Sequence, residues 1–385
     1  MVTTTTKTSE EDEGLPEIIN DKKDPAMDRR DTDETEASSA SNTSHVIHDE
    51  WLIREAEALQ SEERLLAAVT LLKQVQDKGL LEEKHRTWIR WAEALEVGMK
   101  DLLQSPETSD SAWKKQSESH GHRDFLVYYQ INENCQLLSR IDCAFESSLL
   151  LPIISVFNES DLYQTWMPSW KRPIKMGVQE TKMLKEMGRG NQIIQVTVNM
   201  AWPFNTRELM QHAVAVDVID EEGAIAVQVF TENEDDPVIP QARPGVTRID
   251  FECTMMFRAC PPDHPCLGKS KHQYPPNEKL ILISLKLFVD AHVTGAPKKL
   301  INFVTRTVLG AMWSSLLHVA EGVRDGKRPV HQEAIAKKKD LYGWIEKRVV
   351  VMLDKFEQRP EAACADADAE EKKEFEELEA HTLLK

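Results

Sequence analysis

The sequence predicts an α+β fold: a curved antiparallel sheet with one dry face, wrapped around a long carboxy-terminal helix and preceded by an α-helical hairpin. Three observations predict it. First, "DFECTMMFRA" sets Phe251, Cys253, Met255, Phe257 and Ala259 against Asp250, Glu252, Thr254 and Arg258, with Met256 the exception. "KLILISLKLFVD" likewise sets Ile281, Ile283, Leu285, Leu287 and Val289 against Ser284, Lys286 and Asp290. A period of two marks a half-buried strand, and long alternating strands with short turns favour one antiparallel sheet. Second, the run from Pro297 to Gly322 is rich in apolar groups, among them Leu300, Phe303, Val304, Val308, Met312, Trp313 and Leu316. Pro297 suits a helix's first turn, where no N–H is needed. Third, residues 51–103 carry apolar groups at helical spacing.

Taken in order, residues 1–48 are an acidic leader expected to be disordered. In the hairpin, 49–104, one helix carries Leu52, Ala56, Leu59, Leu66, Val69 and Leu72, and Gly79 breaks the run. The other carries Leu81, Trp88, Ala92, Leu95, Met99 and Leu102. Residues 105–121 have the composition of a linker. The main domain, 122–325, starts with two strands around "NENC" and two short helices ending at Pro168. Strands then follow near 178–187, 191–202, 209–219, 223–231, 246–259 and 278–293, with a tight turn at Glu221-Glu222-Gly223. In 191–202, Ile194, Val196, Val198, Met200 and Trp202 share one side. Pro203 cannot donate to a sheet ladder and stops the strand. Residues 330–358 read as one basic amphipathic helix, with Leu341, Ile345, Val349, Met352 and Phe356 on a stripe and six Lys or Arg residues beside it. It is expected to dock on the domain, to pair with the hairpin, or to lie on anionic membrane. Residues 359–385 are an acidic tail expected to be disordered.

The net charge of −18 over 385 residues belongs to the ends. Residues 1–50 hold 14 acidic and 5 basic groups, and residues 361–385 hold 9 and 3, so the middle is close to −3. Acidic tails of this kind bury too little apolar surface to offset the entropy of ordering. A middle without basic excess gives nucleic-acid binding no electrostatic support. The amino terminus lacks the pattern of a secretory signal, and no run of 18 apolar residues occurs. The six cysteines are not densely paired, so free thiols in the cytoplasm are the expectation, with peripheral contact at membranes.

Other chemistry finds thin support. Cys260, His264, Cys266 and His272 hold potential zinc ligands, but the spacing is not that of a finger and three prolines stiffen the loop. The reading is a Pro-rich loop and no metal. His212 and Asp217 lie on one strand run and could pair as acid and base. No G-x-S-x-G, H-E-x-x-H or P-loop pattern is present, so no enzyme and no cofactor are expected.

The order of elements resembles the helix-grip fold of START (StAR-related lipid-transfer) domains. "DLYQTWMP" resembles the family's D-L-Y-x-x-W-x-P segment, here Asp161, Leu162, Tyr163, Trp166 and Pro168. "AWPFNTREL" resembles its P-W-P-x-x-x-R-D turn, with Ala201 and Glu208 as departures. "VTGAPKKLINFVTRTVLGAMWSSLLHVAEGV" resembles its final helix, entered at Gly295 and Pro297. The match covers roughly residues 122–325. The Arg207-Glu208 pair reads as an ion pair, or as a contact to a polar lipid head.

This resemblance implies non-enzymatic binding, and intermembrane transfer, of a sterol or phospholipid in a cavity between the sheet and helix 297–322. Its candidate lining is Val198, Met200, Trp202, Arg207, Met255, Phe257, Leu285, Leu287, Val304, Val308, Met312 and Leu316. Periodicity alone cannot separate a hollow core from a full one. A solid domain acting as a protein-interaction scaffold, with a partner on 49–104, is the alternative. An enzyme acting on a hydrophobic substrate is a third.

Overall fold

The computed structural model describes residues 33–106, 113–120, 123–132, 136–170, 176–200, 204–232, 236–267, 274, 278–292 and 308–358. The chain divides into two units, residues 1–48 and 49–385; the sheet and its cavity belong to the larger. Among the described residues one sheet holds β1 (Lys114–His120), β2 (Asp124–Ile131), β3 (Leu137–Glu146), β4 (Ser169–Trp170), β5 (Met176–Glu186), β6 (Asn191–Asn199), β7 (Thr206–Val218), β8 (Ala224–Thr231), β9 (Val246–Arg248), β10 (Asp250–Ala259) and β11 (Leu280–Asp290). The order is β1-β2-β3-β11-β10-β8-β7-β6-β5-β4, antiparallel throughout, with β9 parallel beside β7. The helices of nine residues or more are α1 (Asp33–Ser61), α2 (Leu65–Gln74), α3 (Glu83–Leu103), α4 (Leu150–Asn158), α5 (Leu309–Arg324), α6 (Pro329–Lys337) and α7 (Lys339–Gln358).

The two alternating strands of the sequence pair as their pattern demands. Cys253 faces Leu287, Met255 faces Leu285 and Phe257 faces Ile283 across β10 and β11. Their side chains meet Leu309, Trp313 and Leu316 of α5 in the main core. This is the helix-grip arrangement: a large antiparallel sheet closed by a carboxy-terminal helix. The described part of that helix starts at Leu309, and Gly295, Pro297 and Val304 lie outside the described residues.

The sheet's other face is also dry, because α2 and α3 cover it. Leu66, Val69, Leu95 and Met99 pack with Val214, Val216, Ala226 and Met256 in a second core. That explains Met256: it breaks the alternation because its side of β10 is buried too. Helix α3 comes so close to β10 that a Cβ on Gly98 would lie 2.3 Å from the Thr254 hydroxyl. The carboxy-terminal end of α3 is capped from the sheet. Arg140 of β3 donates to the carbonyls of Leu102 (2.9 Å) and Gln104 (2.6 Å) while pairing with Asp142 (3.0 Å). The last carbonyls of a helix need such partners. Gly98→Ala is expected to destabilise the protein by about 1–3 kcal/mol in urea unfolding, since overpacking outweighs the gain in helix propensity.

Four expectations are corrected here. The first helix of the hairpin is two helices, α1 and α2. Between them Glu63 takes a left-handed φ of 62°, its carbonyl accepts the Asp217 N–H (2.9 Å), and its carboxylate accepts the Arg189 N–H (2.9 Å). Docking on the sheet breaks the helix. The expected linker contains β1, which pairs with β2 along Lys114–His120. The basic segment 330–358 is also two helices, α6 and α7, parted at Lys338, whose ammonium pairs with Glu159 and Glu186. Its stripe is buried on the domain: Ile345, Val349 and Met352 belong to the main core. Arg207 and Glu208 do not pair with each other, because neighbours on a strand face opposite ways. Glu208, fully buried, pairs with Arg243 (2.9 Å) and Arg248 (3.5 Å), and Arg207 donates to the carbonyls of Asn205 and Ala291.

Candidate functional site

A cavity of about 390 Å³ lies between the dry face of the sheet, α4 with the 3₁₀ turn Ser160–Thr165, and α5. The sheet contributes rows of alternate residues: Ile194, Val196 and Val198 from β6, Leu209 and Ala213 from β7, Val227 and Val229 from β8, Cys253, Met255 and Phe257 from β10, and Leu285 and Leu287 from β11. Val308, Met312, Trp313 and Leu316 face them from α5 and its start. Ile154, Phe157, Trp166 and Met167 close one side.

The motif Asp161-Leu162-Tyr163 builds that side. The Asp161 carboxylate accepts the Met183 N–H (3.2 Å), and the buried Tyr163 hydroxyl donates to the Phe157 carbonyl (2.6 Å). Trp166 stacks edge-on against Tyr163, with ring centres 5.6 Å apart. Its carbonyl accepts the Ser315 hydroxyl of α5 (2.5 Å), which ties this wall to the helix across the sheet.

The chemistry of the lining is sparse. Among the described lining residues none is charged; Asn158, Gln192 and Gln211 supply amides. Burial pushes the Cys253 thiol up to about 12, so it stays protonated and is no nucleophile at neutral pH. Burial likewise raises Tyr163, and the nearby Glu159 charge adds to it. Such a surface can shield apolar atoms and orient a neutral polar group. It offers no activated nucleophile with a base in reach.

Nine of the twelve residues expected to line a cavity do so: Val198, Met200, Met255, Phe257, Leu285, Leu287, Val308, Met312 and Leu316. Trp202 and Val304 lie outside the described residues, as do Ala201 and Pro203 of the expected turn. Arg207 does not line it; the backbone carbonyls at the end of β11 hold its guanidinium. The walls from β7, β8 and α4 are absent from the expected set. For β7 and β8 the signal was the same alternation, in "ELMQHAVAVDV" and "AIAVQVF".

The other chemistry does not assemble. His212 stands on the opposite face of β7, bonded to Glu232 and to Asn191 (2.6 Å), with Trp91 edge-on against its ring. Asp217 binds Arg348 instead. In the Pro-rich loop the His264 Nδ1 lies 2.9 Å from the Cys266 sulfur, and His272 lies outside the described residues.

No protein-family model matches the sequence, and no curated protein matches it. Solved structures resemble it. A STAR-related lipid transfer protein fragment from Xanthomonas axonopodis is 16% identical over 55% of this chain and 99% of its own, at a TM-score of 0.39. Human STARD10 is 9% identical over 62% of this chain and 82% of its own, at 0.43. Human StAR-related lipid transfer protein 5 is 13% identical over 60% and 97%, at 0.41. The described residues form an α+β fold, a large antiparallel sheet with α5 across its dry face. Helices α2 and α3 lie on the outer face of the sheet, and α6 and α7 follow the closing helix. No helix among its described residues is long and apolar enough to cross a membrane.

Proposed function

We propose that the protein binds a lipid without chemical change in the cavity under α5 and passes it between membranes. The observation that carries this is an empty space of about 390 Å³ whose described lining is mostly apolar and without charge. Ligand sites of small molecules have this size and this mixture of many apolar and few polar groups. Each methylene moved there from water is stabilised by about 0.8 kcal/mol. An uncharged lining favours a ligand whose buried part is neutral, as in a sterol or the acyl chains of a phospholipid. The methionines at 255 and 312 suit an irregular ligand, being flexible and unbranched. The scaffold alternative needs a filled core, which this cavity disfavours.

The test is native mass spectrometry of the purified protein, followed by organic extraction. The expected result is an added mass that denaturation releases as lipid. A clean mass, together with no uptake of a fluorescent sterol or fluorescent phosphatidylcholine from vesicles, would return the weight to a scaffold.

A further inference from the structure

Two amides interrupt the dry face of the sheet. On β6 the inward row runs Gln192, Ile194, Val196 and Val198, and on β7 it runs Leu209, Gln211, Ala213 and Ala215. Every other residue of these two rows is apolar. Gln192 stands opposite Ala213 and Gln211 opposite Ile194, so the glutamines are diagonal neighbours, a spacing that long side chains bridge. Asn158, at the end of α4, adjoins them: the Gln192 amide donates to its backbone carbonyl (3.2 Å).

The hydrogen-bonding capacity of these groups is unevenly used. The Asn158 side-chain amide is committed, donating to Glu159 (3.0 Å) and to the Tyr342 hydroxyl (3.3 Å). The Gln192 carbonyl oxygen has no hydrogen-bond partner among the described residues, although the residue is only 6% exposed. The Gln211 side chain lines the cavity and bonds to none of the described residues. An amide oxygen kept from water without a partner costs stability, so leucine would serve a purely apolar wall better at both positions. A ligand that brings the missing partner explains why glutamine stands there.

The chemistry of that partner follows from what the wall offers. It is neutral, because the described lining holds no charge to pair a phosphate, a carboxylate or an ammonium group. It donates, to satisfy a glutamine carbonyl oxygen, and it accepts, to satisfy the Gln211 N–H. A hydroxyl is the smallest neutral group that does both. An ether, an ester or a ketone only accepts.

We propose that Gln192 and Gln211 determine the specificity of the cavity, and that its ligand is a lipid alcohol seated with its hydroxyl on these two amides and its hydrocarbon on the apolar rows beside them. The proposal rests on the lipid-binding reading and names the class of lipid. A phospholipid fits it poorly: its acyl chains leave the glutamines unpaired, and its charged head finds no counter-charge in the described lining.

The experiment titrates the full chain with a fluorescent sterol and a fluorescent diacylglycerol, each as the free alcohol and as the deoxy analogue with hydrogen in place of the hydroxyl, and with fluorescent phosphatidylcholine. At least one alcohol is expected to bind about tenfold or more tighter than its own deoxy analogue, and tighter than phosphatidylcholine, because a site built for a hydroxyl rejects the analogue that lacks it. Gln192→Leu and Gln211→Leu together should cut that ratio to about one- to threefold, with the deoxy analogue bound as well as before or better. A merely structural role would weaken both ligands alike. A ratio near one in the wild-type chain for every alcohol that binds overturns the proposal and leaves the lipid-binding reading standing. Phosphatidylcholine bound as tightly as the alcohols does the same, as does full discrimination in the folded double variant. Should the double variant not fold, the wild-type ratio decides alone. A chain that takes up none of the probes overturns the lipid-binding reading, and this proposal with it.

Discussion

Met312→Trp is expected to fold normally and to hold no lipid. Met312 lines the cavity from α5, opposite the sheet rows that carry Met255 and Leu285. An indole there enters open space, so the overpacking cost that a filled core would impose is largely absent. The ligand meets a different consequence. The ring displaces several methylenes of the bound lipid, each worth about 0.8 kcal/mol, so uptake falls by more than about tenfold. Val308→Trp, from the same helix, should act alike. The measurements are thermal unfolding, which should move little, and extracted lipid per protein, which should collapse. A full lipid load in both folded variants would remove this cavity from consideration.

The dry face of β10 and β11 could be read directly, because a period of two names a face; the register that sets Met255 against Leu285 is fixed only in the folded sheet. What the pattern could not report is what stands opposite that face. Met312 and Trp313 are equally consistent with a filled core and a hollow one, since both demand apolar side chains. Met256 carried a further message, that the outer face of β10 is covered as well. A single exception in an alternating strand is too small a signal to place α2 and α3 there. The break at Glu63 was illegible for another reason. Helical spacing runs on through it, and only the docking of its carbonyl on Asp217 and its carboxylate on Arg189 opens the helix. Arg207 misled because charge next to an apolar strand suggests a ligand. Here the carbonyls at Ala291 and His292 satisfy it, and these lie 84 and 85 residues away in sequence.

Arg123→Ala is expected to cost about 3–5 kcal/mol, because it removes one cation from a buried group of charges and leaves carboxylates behind. The Arg123 guanidinium holds Glu146 in a fork (2.5 and 2.6 Å) and Glu321 at 2.6 Å, joining the start of β2, the end of β3 and the last turn of α5. Forked pairs of this kind are the strong ones, and lysine cannot reproduce the geometry. Arg123→Lys should therefore recover only part of the loss. Burial alone would push the Glu146 carboxyl up; the Arg123 hydrogen bonds, and then the charges of Arg123 and Arg324, outweigh it and hold it below the usual range. The sign of the pH dependence is fixed by that direction. A carboxyl that is more acidic folded than unfolded stabilises fully above its unfolded value, about 4.3, and that stability is lost as pH falls through the lower folded value. The gap between wild type and Arg123→Ala in urea unfolding should thus be widest near neutral pH and narrow in acid. A gap that does not narrow would mean that Arg123 acts through packing and not through its charge.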